Sequence, residues 1–261
     1  MIKVFSGGTK HSGFISTRPR NAAPPALSVS LALAALFTAQ ASAAKEPAPE
    51  WSGIVQAGVV MTSGNAESQT LSGKWTLIRE VENWRSNLRL EGINQSSNDE
   101  RSVERYLGAV QQDYKFNELQ YSFLRSEYMT ERFTGVEYEL TAALGYGHRL
   151  IDTEAQRLEI EFGPGYRRTQ LEEGGEVTEE AILRSSLGYL WEINDTARFE
   201  QELTNETGSE KSVTKSTSTL QTKVSNEISL SVGYTLRHTS QVPVGKEKVD
   251  TETTLSLAFA Y

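Results

Sequence analysis

Fourteen charged residues recur at alternate positions along this chain: Lys74, Arg85, Arg89, Glu91, Arg105, Arg157, Glu159, Glu161, Arg167, Arg184, Arg198, Glu200, Glu202 and Arg237. The residues between them are often apolar or aromatic, as in Arg157-Leu158-Glu159-Ile160-Glu161-Phe162. On a strand, alternate side chains share a face. Each such segment therefore has one charged face and one apolar face. A charged face can pair its signs across neighbouring strands and act as a structural lattice. It can also line a watery path in which rings of charge select the solute. The arginines favour small anions or acidic sugars, and the interspersed glutamates oppose that preference.

The elements that must carry these residues are strands. From Trp51 onward no helical period lasts more than a turn or two. Alternation over about ten residues followed by a turn recurs instead, which is the pattern of barrel strands. Val103 to Phe116, Glu137 to Leu150, Gln156 to Thr169, Glu179 to Trp191 and Ile228 to Thr239 are clear cases. Gln120 to Glu131 is poorly patterned, because Tyr121 and Phe123 share a face with Arg125 and Glu127; a bulge or an extension beyond the membrane would account for it. Ala197 to Thr207 and Ser212 to Ser225 are the most polar strands. The count is about twelve, an even number as closure of an antiparallel barrel requires. Connections after even strands are short, and several after odd strands, such as Ser96 to Ser102, read as longer loops.

The first 43 residues differ from the rest. They hold Lys3, Lys10, Arg18 and Arg20, no acidic residue, an apolar run from Ala26 to Ala39, and Ala41-Ser42-Ala43. This is the pattern of a secretory signal peptide cleaved after Ala43. Residues 44–50 form a short linker, and 51–261 the barrel. Without the leader's four basic residues, 34 acidic residues face 22 of the chain's 26 basic ones. That balance argues against nucleic acid as a partner. No apolar run approaches the roughly 20 residues of a spanning helix, so a membrane protein of this sequence has to be a barrel. The last strand places Leu255, Leu257, Phe259 and Tyr261 on one face and ends the chain on an aromatic residue. A terminal strand of this kind resembles the assembly signal of bacterial outer-membrane barrels. The expected fold class is therefore all-β, a transmembrane antiparallel up-and-down barrel of about twelve strands in the bacterial outer membrane. Its partners would be outer-membrane lipid, lipopolysaccharide and the barrel-assembly machinery.

Other chemistry is thinly represented. There is no cysteine, no metal-spaced histidine cluster, no phosphate loop and no dinucleotide fingerprint. No catalytic residue, metal or cofactor is expected, and the chain reads as a non-enzyme. His148 and His238 fall on outward faces near strand ends. His238, followed by Thr239 and Ser240, is the nearest approach to a lipid-facing Ser-His-Asn hydrolase such as an outer-membrane phospholipase. A nucleophile needs a base and an orienting group within reach, and neither a serine nor an asparagine can be assigned beside His238. Glu172, Glu173, Glu176, Glu179 and Glu180, like Asp99 and Glu100, read as external loop charge. Bridging of divalent cations to lipopolysaccharide is the alternative.

Several local features resemble the family of salt-induced outer-membrane proteins, the YdiY-like group, otherwise classed as a domain of unknown function. They are Trp51-Ser52-Gly53, Gly64-Asn65-Ala66-Glu67, Ile151-Asp152-Thr153, Gly163-Pro164-Gly165-Tyr166 and the aromatic terminus. The resemblance spans the whole mature part. It implies an outer-membrane barrel linked to salt or osmotic stress. The resemblance implies no established catalytic residues. The alternating charges themselves read as a narrow passive channel for small solutes or as a purely structural barrel.

Overall fold

The structure is a computed structural model that describes residues 50–63, 68–97, 100–132, 136–171, 175, 177–242 and 247–260. The leader, most of the linker, the Gly64–Glu67 hairpin, Glu172, Glu173, Glu176, Asp99 and Tyr261 lie outside the described residues.

Twelve strands follow one another: β1 Glu50–Ser63, β2 Ser68–Glu80, β3 Trp84–Ser97, β4 Glu100–Lys115, β5 Gln120–Arg132 and β6 Val136–Asp152. The second half comprises β7 Gln156–Leu171, β8 Val177–Asn194, β9 Ala197–Gly208, β10 Ser212–Lys223, β11 Ile228–Thr239 and β12 Val249–Ala260. Each is antiparallel to its neighbours, and β12 closes on β1 with Val55 opposite Phe259, Ala57 opposite Leu257 and Val59 opposite Leu255. Closure removes every sheet edge, so each strand finds its hydrogen-bond partners within the wall.

Alternation alone leaves open which face is wet. The closed wall decides it, because the charged faces point in and the apolar faces out. Arg167 is 0% and Arg184 3% exposed, whereas Leu144 is 60% and Leu257 57% exposed. This inverts the burial rule of water-soluble proteins and is the pattern of a transmembrane barrel. Aromatic clusters stand at both ends of the outer wall. Trp84, Tyr114 and Phe116 pack edge to face near the short turns, with centroids 4.9 and 5.6 Å apart. Tyr128 and Tyr138 stack at 5.9 Å near the opposite rim. Amphipathic rings occupy such levels where lipid meets water.

Two readings of the sequence need correction. β3 runs to Ser97 and β4 starts at Glu100, so most of the expected Ser96–Ser102 loop is paired strand with a bulge at Gln95/Ser96. Polar composition does not end a strand whose backbone has a partner. β5 is regular through Tyr121, Phe123, Arg125 and Glu127, and all four sit on the lumen side, while Leu124 and Tyr128 face out. The register shift in β5 comes later, at Met129/Glu131. The two aromatic rings face inward because β6 leaves them room. A Cβ on Gly147 would overlap the Tyr121 ring, and one on Gly145 would lie 2.9 Å from the Phe123 ring.

The polar strands β9 and β10 also differ from their neighbours on the outer face. Gln201 donates to Ser216 at 3.0 Å and accepts from Ser218, and Asn205 donates to Thr214 at 2.8 Å. Thr207 donates to Asn205 at 2.8 Å. These groups satisfy one another along the strand pair, so their exposure on the outer wall leaves few donors without an acceptor.

Candidate functional site

The lumen gathers the alternating charges into a connected network. Near the short turns, Arg85 donates from Nε to Asp113 Oδ2 at 2.7 Å and approaches Glu159 of β7 at 3.6 Å. Arg149 reaches the same Glu159 at 3.6 Å and Asp152 at 3.2 Å. The Arg85 guanidinium also covers the Tyr121 ring at 5.0 Å. The Tyr121 hydroxyl donates to Glu161 at 3.1 Å, beside Gln111 at 2.7 Å and Ser186 at 3.0 Å.

Farther along the lumen, Arg89 of β3 meets Glu91 at 3.5 Å, Glu127 of β5 at 3.5 Å and Glu202 of β9 at 3.6 Å. In a ring of twelve strands, β3 and β9 are half-way round from one another. The Arg89–Glu202 contact therefore crosses the barrel. Arg237 of β11 and Glu131 of β5 are likewise on opposite walls, and they meet at 3.5 Å. Arg105 shares Glu131 at 3.7 Å and donates to Glu252 of β12 at 2.6 Å. Lys74 lies 3.6 Å from Glu91. Lys215 of β10 stands on the same inward face, in register with Arg237 of β11 and Thr204 of β9.

A third cluster lies toward the rim of β6 to β9. Arg167 donates to Glu180 at 3.0 Å and Glu206 at 2.9 Å, with Glu139 at 3.9 Å. Lys211 pairs with Glu139 from the β9–β10 connection. Glu180 is not one of the external loop acids that its sequence neighbours suggest: its carboxylate is turned into the barrel wall and buried. Glu179 pairs at the outer surface with Arg168 at 3.1 Å.

Opposed charges that are partly shielded from water attract more strongly than in bulk water, and the most buried of them, such as Arg167, are expensive to leave alone. The network thus holds opposite walls together and places side chains across the barrel axis. Arg157 is the outlier among the expected lining residues. It is half exposed at the β6–β7 turn and pairs with Asp152 at 3.2 Å, so it stands at the mouth. Arg198 binds Glu200 at 3.1 Å and Gln221 at 3.0 Å, low on β9. The sequence reading misses several lumen groups: Arg125, Glu127, Glu131, Glu139, Arg149, Glu180, Glu206, Lys215 and Glu252. Strict alternation from Tyr138, Leu140 and Ala142 would mark Glu139, and a consistent face for β5 would mark three more.

Among the described residues, neither outer histidine is hydrogen-bonded to a serine. His148 stacks on Tyr146 at 6.3 Å. His238 lies opposite Thr214 and Val249 in register. Among the described residues no hydrogen bond joins His238 to a serine, and Ser240 accepts instead from the Ser212 amide at 2.8 Å. No group of three or more acidic or histidine side chains among the described residues is arranged to hold a metal.

Residues 55–261 match a family described as "Protein of unknown function, DUF481". The chain belongs to this family. A relative in Escherichia coli K12, the uncharacterized protein YdiY, is 28% identical over 220 residues, covering 84% of this chain and 85% of its own. Among solved structures, an outer membrane channel of Pseudomonas putida F1 shares 9% identity with a TM-score of 0.50, over 83% of this chain and 97% of that one. The KdgM porin shares 9% identity with a TM-score of 0.47, over 80% and 99%. At these identities the structural likeness concerns the fold. The architecture is that of an outer-membrane-type barrel.

Proposed function

We propose that this chain is an outer-membrane barrel that passes small ions and small solutes along a narrow lumen whose width is set by ion pairs. The observation that carries this reading is the contact of Arg89 with Glu202 from the opposite wall. A larger pore would keep such side chains apart. A fully dry plug would be built from apolar side chains alone, whereas this lumen sets charged side chains beside the apolar clusters Leu107–Ala109–Met129 and Tyr121–Phe123–Ala143. Inward arginines are matched by carboxylates throughout, so charge alone gives weak selectivity between anions and cations. Ion pairs that water can reach weaken as salt rises. The passage should therefore loosen at high ionic strength, which supports a role for the barrel in the envelope under salt stress.

The apolar outer wall suits contact with outer-membrane lipid and lipopolysaccharide. The β12 face bearing Leu255, Leu257 and Phe259 suits recognition by barrel-assembly machinery, with the leader directing export. A purely structural barrel is the second reading, favoured by the recurrence of cross-wall pairs at more than one level.

Solute flux into liposomes tests the choice. Refolded protein should admit small ions and exclude a trisaccharide, with ion flux rising more steeply with salt than the bulk conductivity does. Arg89→Ala should raise the flux at low salt. Liposomes that stay tight to ions at every salt concentration, with fully folded barrel present, would assign the protein to the structural reading.

A further inference from the structure

The outer face of β9 and β10 is polar at a depth where a barrel wall meets hydrocarbon. Both strands have 12 residues. At about 3.3 Å per residue and a tilt of about 40°, such a strand covers roughly 30 Å of depth, against an apolar band of about 25 Å. Residues near its middle therefore lie within the band. On β10 the outward column is Thr214, Ser216, Ser218 and Leu220. Leu220 sets this face, since it is exposed on the outer wall, and Ser216 stands opposite the equally outward Leu203. On β9, Gln201 and Asn205 flank Leu203, and Ser185 of β8 stands opposite Asn205. The outward column of β6 is instead Leu140, Ala142 and Leu144.

These polar groups bond to one another in part. Gln201 serves Ser216 and Ser218, and Asn205 serves Thr214. The hydroxyls of Ser185, Thr214 and Ser216 still donate to no acceptor among the described residues. Acyl chains offer them none, and a lipid headgroup does not reach the middle of a spanning strand. The surface is uncharged, and each Ser, Thr, Asn and Gln in it is donor and acceptor at once. Such a surface complements a second copy of itself under a two-fold rotation. Small hydroxyl side chains also let two backbones approach closely and hydrogen-bond across the contact, as they do between membrane helices.

We propose that the outer face of β8 to β10 is the contact surface of a homodimer in the membrane, with Gln201, Asn205, Thr214, Ser216 and Ser218 of one protomer laid against the same face of its partner. This goes beyond the reading of the lumen and does not depend on whether ions pass.

The chain has no cysteine, so a single introduced cysteine reports contact between copies without background. Thr214→Cys, Ser216→Cys and Leu220→Cys in the full mature chain are compared with Leu90→Cys on β3, half-way round the barrel from β9, in phospholipid vesicles at a low protein-to-lipid ratio. At least one of the three is expected to form the disulfide-linked dimer severalfold faster than Leu90→Cys. Adding Gln201→Leu and Asn205→Leu to the fastest of them should remove its lead while the barrel stays heat-modifiable. Equal rates at all four positions, or a lead that survives the loss of both amides, overturns the proposal. Should the chain with both leucines fail to fold, the comparison of the single cysteines still decides.

Discussion

Arg167→Gln is expected to lower folding stability by about 3–5 kcal/mol, the loss typical of breaking a buried ion pair by removing one partner. The measurement is reversible urea unfolding of the barrel in lipid vesicles. Arg167 is fully buried and faces carboxylates from three strands, Glu139 of β6, Glu180 of β8 and Glu206 of β9. It also donates to the main-chain oxygens of Lys211 at 3.3 Å and Glu206 at 3.4 Å. Glutamine removes the charge and leaves Glu180 and Glu206 near one another without a shared cation. Lys211 continues to serve Glu139, so the damage should centre on the β8–β9 side. Combining Arg167→Gln with Glu180→Gln should recover part of the loss, because the two residues are directly coupled. Arg167→Lys should recover little, since an ammonium cannot fork to several carboxylates in fixed directions.

Gly163→Ala is the second large effect expected. A Cβ there would overlap the Leu144 carbonyl oxygen and lie 2.6 Å from the Gly145 Cα. Those are backbone atoms and cannot rotate aside, so β6 and β7 must separate. Overpacking of this kind costs about 1–3 kcal/mol and occasionally more. Pro164 follows at once and has no N–H to give the ladder, so the local pairing has little in reserve. Gly73→Ala supplies the contrast: a methyl group there would meet nothing within 4 Å. That substitution should change stability by no more than about 0.5 kcal/mol, the range of an uncrowded surface change. Both are read from the heat-modifiable gel shift and from urea unfolding.

The strands and their faces are legible in the sequence because the inward and outward environments differ so sharply. Glu159 and Ile160 cannot exchange faces without placing a carboxylate in lipid. β5 defeats the same logic because Tyr121 and Phe123 are apolar yet inward, and the reason lies on another strand, at Gly145 and Gly147. The partners of the lumen charges are not legible. Alternation assigns Arg89 and Glu202 to the inside, but only ring closure and strand stagger bring β3 and β9 face to face across the barrel. Glu180 misleads for a related reason. It sits beside acidic loop residues in sequence, but it shares the inward face of β8 with Arg184, and the β7–β8 register sets it directly opposite Arg167.

Single-channel current across planar bilayers, comparing the wild type with Arg89→Ala/Glu202→Ala, tests the central claim most directly. The account predicts small wild-type steps that grow disproportionately with salt, and a severalfold larger conductance once the cross-wall pair is removed. Large, porin-like wild-type steps that the double substitution leaves unchanged would contradict it, because the lumen would then be open without regard to the ion pairs that cross it.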